Sequence, residues 1–361
     1  MLTKEQHLLL LLSRLSINDI EKETIKKLSG EKDFNWFKFL QYALYHRTGA
    51  LCWKNMHNLE LSSFMPHYID DVLCYLYLGN RKRNEYMEKE LSKILTAFQQ
   101  KKIPIVPVKG SMLIPALYKD YGLRYASDFD LLVRNEDSIA LNEVMTSLGY
   151  VQGVFDRASM KIIPANKKNI LKYKIYLSNE HPYVKHSGTK LFLSFGVDFR
   201  FALGYERKCE PVNDLVTCFI EKGFVPSCYY LLHLCVHFYE EAKQGVDILL
   251  GKDINMIKLC DIREFILCNN VNMDEFIELC FRYGLRNEAY LALYYIKMIF
   301  EDAYVDIWLR ALKIEDDSFV YKFGTQVGED NTVFKKGFWE RFFSCCNLDE
   351  IPNLEIIAAQ L

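Results

Sequence analysis

The residues best equipped for chemistry lie in one short stretch: Lys109-Gly110-Ser111, then Arg124, then Asp128 and Asp130. The glycine-serine pair follows a short apolar run, and two carboxylates stand two residues apart soon after. Strand side chains alternate faces, so Asp128 and Asp130 point one way and Phe129, Leu131 and Val133 the other, into a core. Two neighbouring carboxylates facing solvent repel each other, and a bound cation relieves that repulsion. Oxygen-only ligands suit Mg²⁺, with Mn²⁺ as its substitute, and Mg²⁺ takes one or two carboxylates plus phosphate oxygens. Two such ions about 4 Å apart would clamp the attacking and leaving oxygens of a phosphoryl displacement. Gly110 lets the backbone approach a ligand, and the helix that opens at Ser111 offers free amide hydrogens. Lys109 and Arg124 supply positive charge for a leaving pyrophosphate. The whole is a phosphate cradle beside a divalent-metal site, which is equipment for moving a nucleotide group.

Three sections of chain must position these groups. Residues 1–100 read as an N-terminal helical region. Thr3 can cap a helix bearing Leu8, Leu9, Leu11, Leu12 and Leu15, and apolar residues recur at helical spacing from Trp36 to Leu44 and from Ile69 to Leu76. Arg81 to Gln100 is a charged helix with a stripe of Tyr86, Leu91, Ile94, Leu95 and Phe98. Residues 101–205 form an α/β core. Strands are expected at Ile103–Val108, Phe129–Val133, Leu171–Leu177 and Leu191–Phe201. A helix bearing Ile139, Val144 and Leu148 starts at Asn135–Asp137 and stops at Gly149. Residues 206–361 return to helix, with 3.6-residue periodicity at Tyr229–Tyr239, Ile254–Leu267, Met273–Tyr283 and Arg286–Phe300.

Composition narrows the function class. Half of the 361 residues are hydrophobic and a quarter are charged, with a net charge of −2. That describes a globular chain without the basic surface of a general nucleic-acid binder. Leu8–Leu12 is too short to cross a bilayer, and no small-residue cleavage site follows it. The eleven cysteines are scattered, Cys345-Cys346 being adjacent, and no pair has zinc-ribbon spacing. Packed, reduced thiols and a cytoplasmic location are expected. His233 and His237, four apart on a helix, lack the glutamate that zinc proteases place after the first histidine, so they read as interior helix residues or contacts to a nucleotide. Asp261 sits in an apolar stretch and needs a partner such as Arg263. Lys161, Lys167, Lys168, Lys172 and Lys174 form a basic group that either guides an anionic ligand or is simply solvated. There is no Gly-x-x-x-x-Gly-Lys-Ser/Thr loop and no Gly-x-Ser-x-Gly elbow, which sets aside P-loop and serine-hydrolase chemistry.

The order strand, Gly-Ser, helix, then Asp-x-Asp on a strand resembles the nucleotidyltransferase fold of DNA polymerase β and kanamycin nucleotidyltransferase. More closely, Val108–Ser111, Leu117-Tyr118, Gly122–Arg124 and Ser127–Val133 resemble a bacterial family of uncharacterised nucleotidyltransferases. The likeness extends to Phe34–Thr48 and to His233, His237 and Leu259-Cys260-Asp261. It implies an α+β fold: a polymerase-β-like core, a small mixed sheet with flanking helices, between N- and C-terminal helical regions. It implies Mg²⁺-dependent transfer of a nucleoside monophosphate from an NTP such as ATP to a small-molecule or peptide acceptor, with release of pyrophosphate. It also implies a third carboxylate, placed at Asp198, as metal ligand and base for the acceptor hydroxyl. The family commonly has histidine where Arg200 stands. Two other readings stay open: a toxin-type enzyme acting on tRNA or protein, and a non-catalytic nucleotide-binding module.

Overall fold

The computed structural model describes residues 2–177, 179–324, 332–344 and 350. The Cys345-Cys346 pair lies outside them. The chain divides into two compact units, residues 78–230 and residues 1–77 with 231–361.

The first of these units holds a six-stranded mixed sheet. Its strands are β1 (Val106–Val108), β2 (Phe129–Leu132), β3 (Val151–Asp156), β4 (Lys161–Pro164), β5 (Tyr183–His186) and β6 (Ser194–Arg200), in the spatial order β1-β2-β6-β5-β3-β4. β2 and β6 run parallel, and the other pairings are antiparallel. Phe129, Leu131 and Val133 along β2 share a core with Phe195, Val197 and Phe199 of β6. That face is covered by Met87, Leu91, Ile94 and Phe98 from the helix His67–Gln100 and by Leu141, Val144 and Met145 from the helix Ser138–Ser147. The period-two pattern in the strands and the three-to-four-residue pattern in the helices meet in one apolar layer.

Three expectations need correction. Asp130 does not face solvent: β2 is flanked by β1 and β6, and Asp130 is buried. Leu171–Leu177 is not a strand but part of the helix Lys167–Leu177. Asn166, just before that helix, accepts a hydrogen bond from the Asn169 amide on its side-chain oxygen (2.9 Å), as a capping residue does. Ile139 does not belong to the apolar stripe of its helix; it is almost fully exposed.

The second unit is mainly helical. Thr3 caps the helix Lys4–Leu12 through a reciprocal pair of bonds with Gln6, as its sequence position suggests. The helices Met273–Arg282 and Arg286–Phe300 follow the expected periodicity, whereas Met256–Cys268 is helical as expected but buried nearly all round, with every residue from Leu259 to Ile266 inside. Asp261 is buried here, while Arg263 pairs with Asp302 at 2.6 Å and with Glu264. Among the described residues no helix is long and apolar enough to cross a membrane.

Candidate active site

The carboxylates come together through strand register. Asp130 on β2 lies opposite Val108 of β1 on one side and Asp198 of β6 on the other. Residues in register on adjacent parallel strands point to the same face about 5 Å apart, so Asp130 and Asp198 are neighbours. Asp128, just before β2, places its Cβ 3.6 Å from where a Cβ on Gly196 would stand, two residues before Asp198. Ser127 donates its hydroxyl to Asp128 Oδ1 at 2.8 Å.

Lys109 supplies the positive charge. Its Nζ lies 2.6 Å from Asp130 Oδ1, and both side chains are largely buried. Asp198 retains partial solvent access, yet burial still pushes its carboxyl up to about 7, helped by the charges of Asp128 and Asp130 and opposed by those of Lys109 and Arg200. Burial is the larger cause, and the two neighbouring carboxylates add to it.

The turn that carries Lys109 is strained. Lys109 has φ +51° and ψ −130°, a region that an L side chain rarely occupies, at a cost of about 1–3 kcal/mol. Its carbonyl is pinned by the amides of Met112 (3.1 Å) and Leu113 (2.7 Å) and by the hydroxyl of Tyr230 (3.2 Å). Gly110 is required by close approach: a Cβ there would lie 2.6 Å from Arg124 Nη1 and 3.2 Å from Ala126 Cβ. Arg124, from the loop before β2, therefore lies across the glycine turn. All the residues singled out from sequence in this region (Lys109, Gly110, Ser111, Arg124, Asp128, Asp130 and Asp198) fall in one compact unit.

A family model described as "Uncharacterised nucleotidyltransferase" matches residues 32–219, just over half of the chain. The chain belongs to that uncharacterised nucleotidyltransferase family. No curated protein and no solved structure matches it. Membership supports nucleotidyl transfer in general, and the matched span contains Lys109, Gly110, Ser111, Arg124, Asp128, Asp130 and Asp198.

The candidate site has supports that sequence reasoning missed. Arg83, on the helix His67–Gln100, is buried between the rings of Phe192 (4.3 Å) and Tyr125 (5.0 Å). Its guanidinium donates to the carbonyls of Ala126 (2.6 Å) and Ser127 (2.7 Å), directly ahead of Asp128. One residue on, Asn84 Nδ2 donates to the carbonyls of Tyr121 (2.7 Å) and Arg124 (2.8 Å). Together they brace the loop that delivers Arg124 and Asp128. Tyr173, on the helix that reads as a strand, has its hydroxyl pushed up by burial and by the charge of Asp198.

His233 is fully buried in the helical unit, and His237 Nε2 lies 3.2 Å from Glu241. Lys167, Lys168 and Lys172 are exposed on one short helix, and Lys174 pairs with Glu180 at 2.8 Å. Among the described residues no three His, Cys, Asp or Glu side chains converge as a ready-made metal-ligand set. In the metal-free arrangement the Lys109 ammonium takes the place beside Asp130 that a cation would occupy. The donor set of Asp128, Asp130 and Asp198 is nonetheless all oxygen, which fits a hard divalent ion.

Proposed function

We propose that this chain transfers a nucleoside monophosphate from a Mg²⁺-bound NTP to a small-molecule or peptide acceptor and releases pyrophosphate, on a polymerase-β-like core. The observation that carries the reading is the register of Asp130 with Asp198, with Asp128 beside them and the Lys109-Gly110 turn against Asp130. Asp128, Asp130 and Asp198 would hold Mg²⁺, or Mn²⁺ in its place. A bound ion would polarise the phosphate and lower the charge barrier to attack.

The chain's own groups do the rest. The Gly110-Ser111 turn holds the phosphates through its amides. Lys109, whose ammonium pairs with Asp130, would turn to a phosphate oxygen if the carboxylates held a metal, and Arg124 would flank the same oxygens. As the acceptor oxygen bonds to the α-phosphorus, its proton passes to Asp198, the carboxylate in register with Asp130. The bond to the β-phosphate oxygen breaks, and pyrophosphate leaves toward Lys109 and Arg124.

The test is calorimetric titration of the purified chain with each NTP in the presence of Mg²⁺, repeated on an Asp128→Ala, Asp130→Ala double variant. Binding that depends on Mg²⁺ and falls at least tenfold in the variant supports the reading. Equal binding in both proteins overturns it.

A further inference from the structure

Behind the phosphate turn, Asn84 Oδ1 and Ser111 Oγ are each buried without a hydrogen-bond partner among the described residues. Both line one cavity between the helix His67–Gln100 and the helical run that begins at Gly110. Asn84 is 2% exposed. Its amide orientation is set, because Nδ2 already serves two carbonyls, so Oδ1 is the atom left without a partner and it can only accept. An orphaned acceptor of this kind costs about 1–3 kcal/mol until something donates to it. Glu88 adds a second acceptor to the same wall, where it takes the Tyr121 hydroxyl at 2.5 Å. Met87, Leu91, Ile114 and Phe129 supply the apolar surface.

The cavity lies on the opposite face of β2 from the carboxylates, since Phe129 lines it and Asp130 points the other way. Counted to its open mouth it measures about 330 Å³, solvent at the mouth included, so a ligand seated on its walls keeps part of its surface exposed. We propose that it is a binding site for a small, largely apolar molecule that carries one hydrogen-bond donor, a hydroxyl or an amino group. The donor meets Asn84 Oδ1, Ser111 Oγ completes the contact, and the body of the ligand fills the apolar walls. Such a ligand would tie Ser111 to the loop that Asn84 braces, and so would stiffen the phosphate turn from behind.

The probes are benzyl alcohol and benzylamine, with toluene as the donorless control, added to the full chain without metal or nucleotide. Saturation-transfer NMR should show saturable binding of the alcohol or the amine, at least fivefold tighter than toluene. Met87→Phe, checked for folding by circular dichroism, should abolish it. On the unaltered chain, the bound probe should slow amide hydrogen exchange in residues 110–127, a readout that survives if the variant does not fold. The proposal is overturned if neither donor probe binds saturably and the cavity holds water only. Toluene binding equally well, full binding in folded Met87→Phe, or exchange protection confined to other segments would each overturn it as well. Neither metal nor nucleotide enters this experiment, so its outcome is separable from that of the nucleotide titration.

Discussion

Asp130 and Asp198 stand in register on adjacent parallel strands, one buried against Lys109 and the other with its proton affinity raised by burial and by the neighbouring carboxylates. The pair is costly to the fold, because like charges on neighbouring strands repel. Lys109 offsets one of the charges, and the charge of Arg200 works against the repulsion at Asp198. Folding stability and function therefore pull in opposite directions at this site.

Asp198→Asn should expose that opposition. Removing one of three crowded carboxylates should stabilise the metal-free protein at pH 8 by about 1–2 kcal/mol, seen as a rise of about 2–6 °C in melting temperature. The same variant should lose Mg²⁺-dependent NTP binding at least tenfold. A variant that melts lower than the parent while still binding NTP would contradict the crowding argument.

Lys109 combines an ion pair with a strained backbone, and the two can be separated. Lys109→Ala leaves Asp130 buried without its partner and keeps an L residue at φ +51°, so about 3 kcal/mol of stability should be lost. Lys109→Gly loses the same ion pair but relieves the backbone, and should be about 1–2 kcal/mol more stable than the alanine variant. Urea unfolding of the two variants side by side measures the difference. Alanine equal to glycine would mean that the turn carries no strain.

Arg83 acts through the loop rather than on a substrate. Arg83→Lys keeps the charge but cannot hold the Ala126 and Ser127 carbonyls at once, so Asp128 loses its fixed position. Mg²⁺-dependent NTP binding should weaken about tenfold, and calorimetry without Mg²⁺ should show no further change. Equal weakening in the absence of Mg²⁺ would point to general loosening of the unit instead.

The legible parts of this molecule were those where pattern and chemistry coincide. β2 alternates Phe129, Leu131 and Val133 with Asp128 and Asp130, and its apolar set is the buried core. Leu171, Tyr173, Ile175 and Leu177 alternate with Lys172 and Lys174 in the same way, yet that segment is a helix. Period-two spacing over seven residues is short enough to arise in an exposed helix, and the informative signal was the capping Asn166. Burial of Asp130 was not legible, because it depends on β1 and β6 arriving from distant sequence. Arg83 and Asn84 read as solvated members of a charged helix. Only the loop, some forty residues further on, turns them into supports.

Lys243 gives the helical unit a signature in pH. Its side chain is buried, and its ammonium donates to the carbonyls of Phe319 and Lys322. Burial, with Arg341 and Lys322 adding repulsion, pulls its pKa down to about 7. An unfolded lysine keeps its proton up to about pH 10.4. Between pH 7 and 10 the unfolded chain therefore binds more protons than the folded one, and this residue's contribution to stability rises with pH. Below pH 7 both states carry the charge, and the penalty for burying it is felt in full. Lys243→Met removes the titrating group. Its stability relative to the parent should be most favourable near pH 6 and should fall by up to about 1.4 kcal/mol per pH unit above 7. All four tryptophans (Trp36, Trp53, Trp308 and Trp339) lie in the helical unit, so their fluorescence during urea unfolding reports on that unit alone. Parallel stability profiles for the two proteins from pH 6 to 9.5 would show that Lys243 keeps an ordinary affinity for its proton.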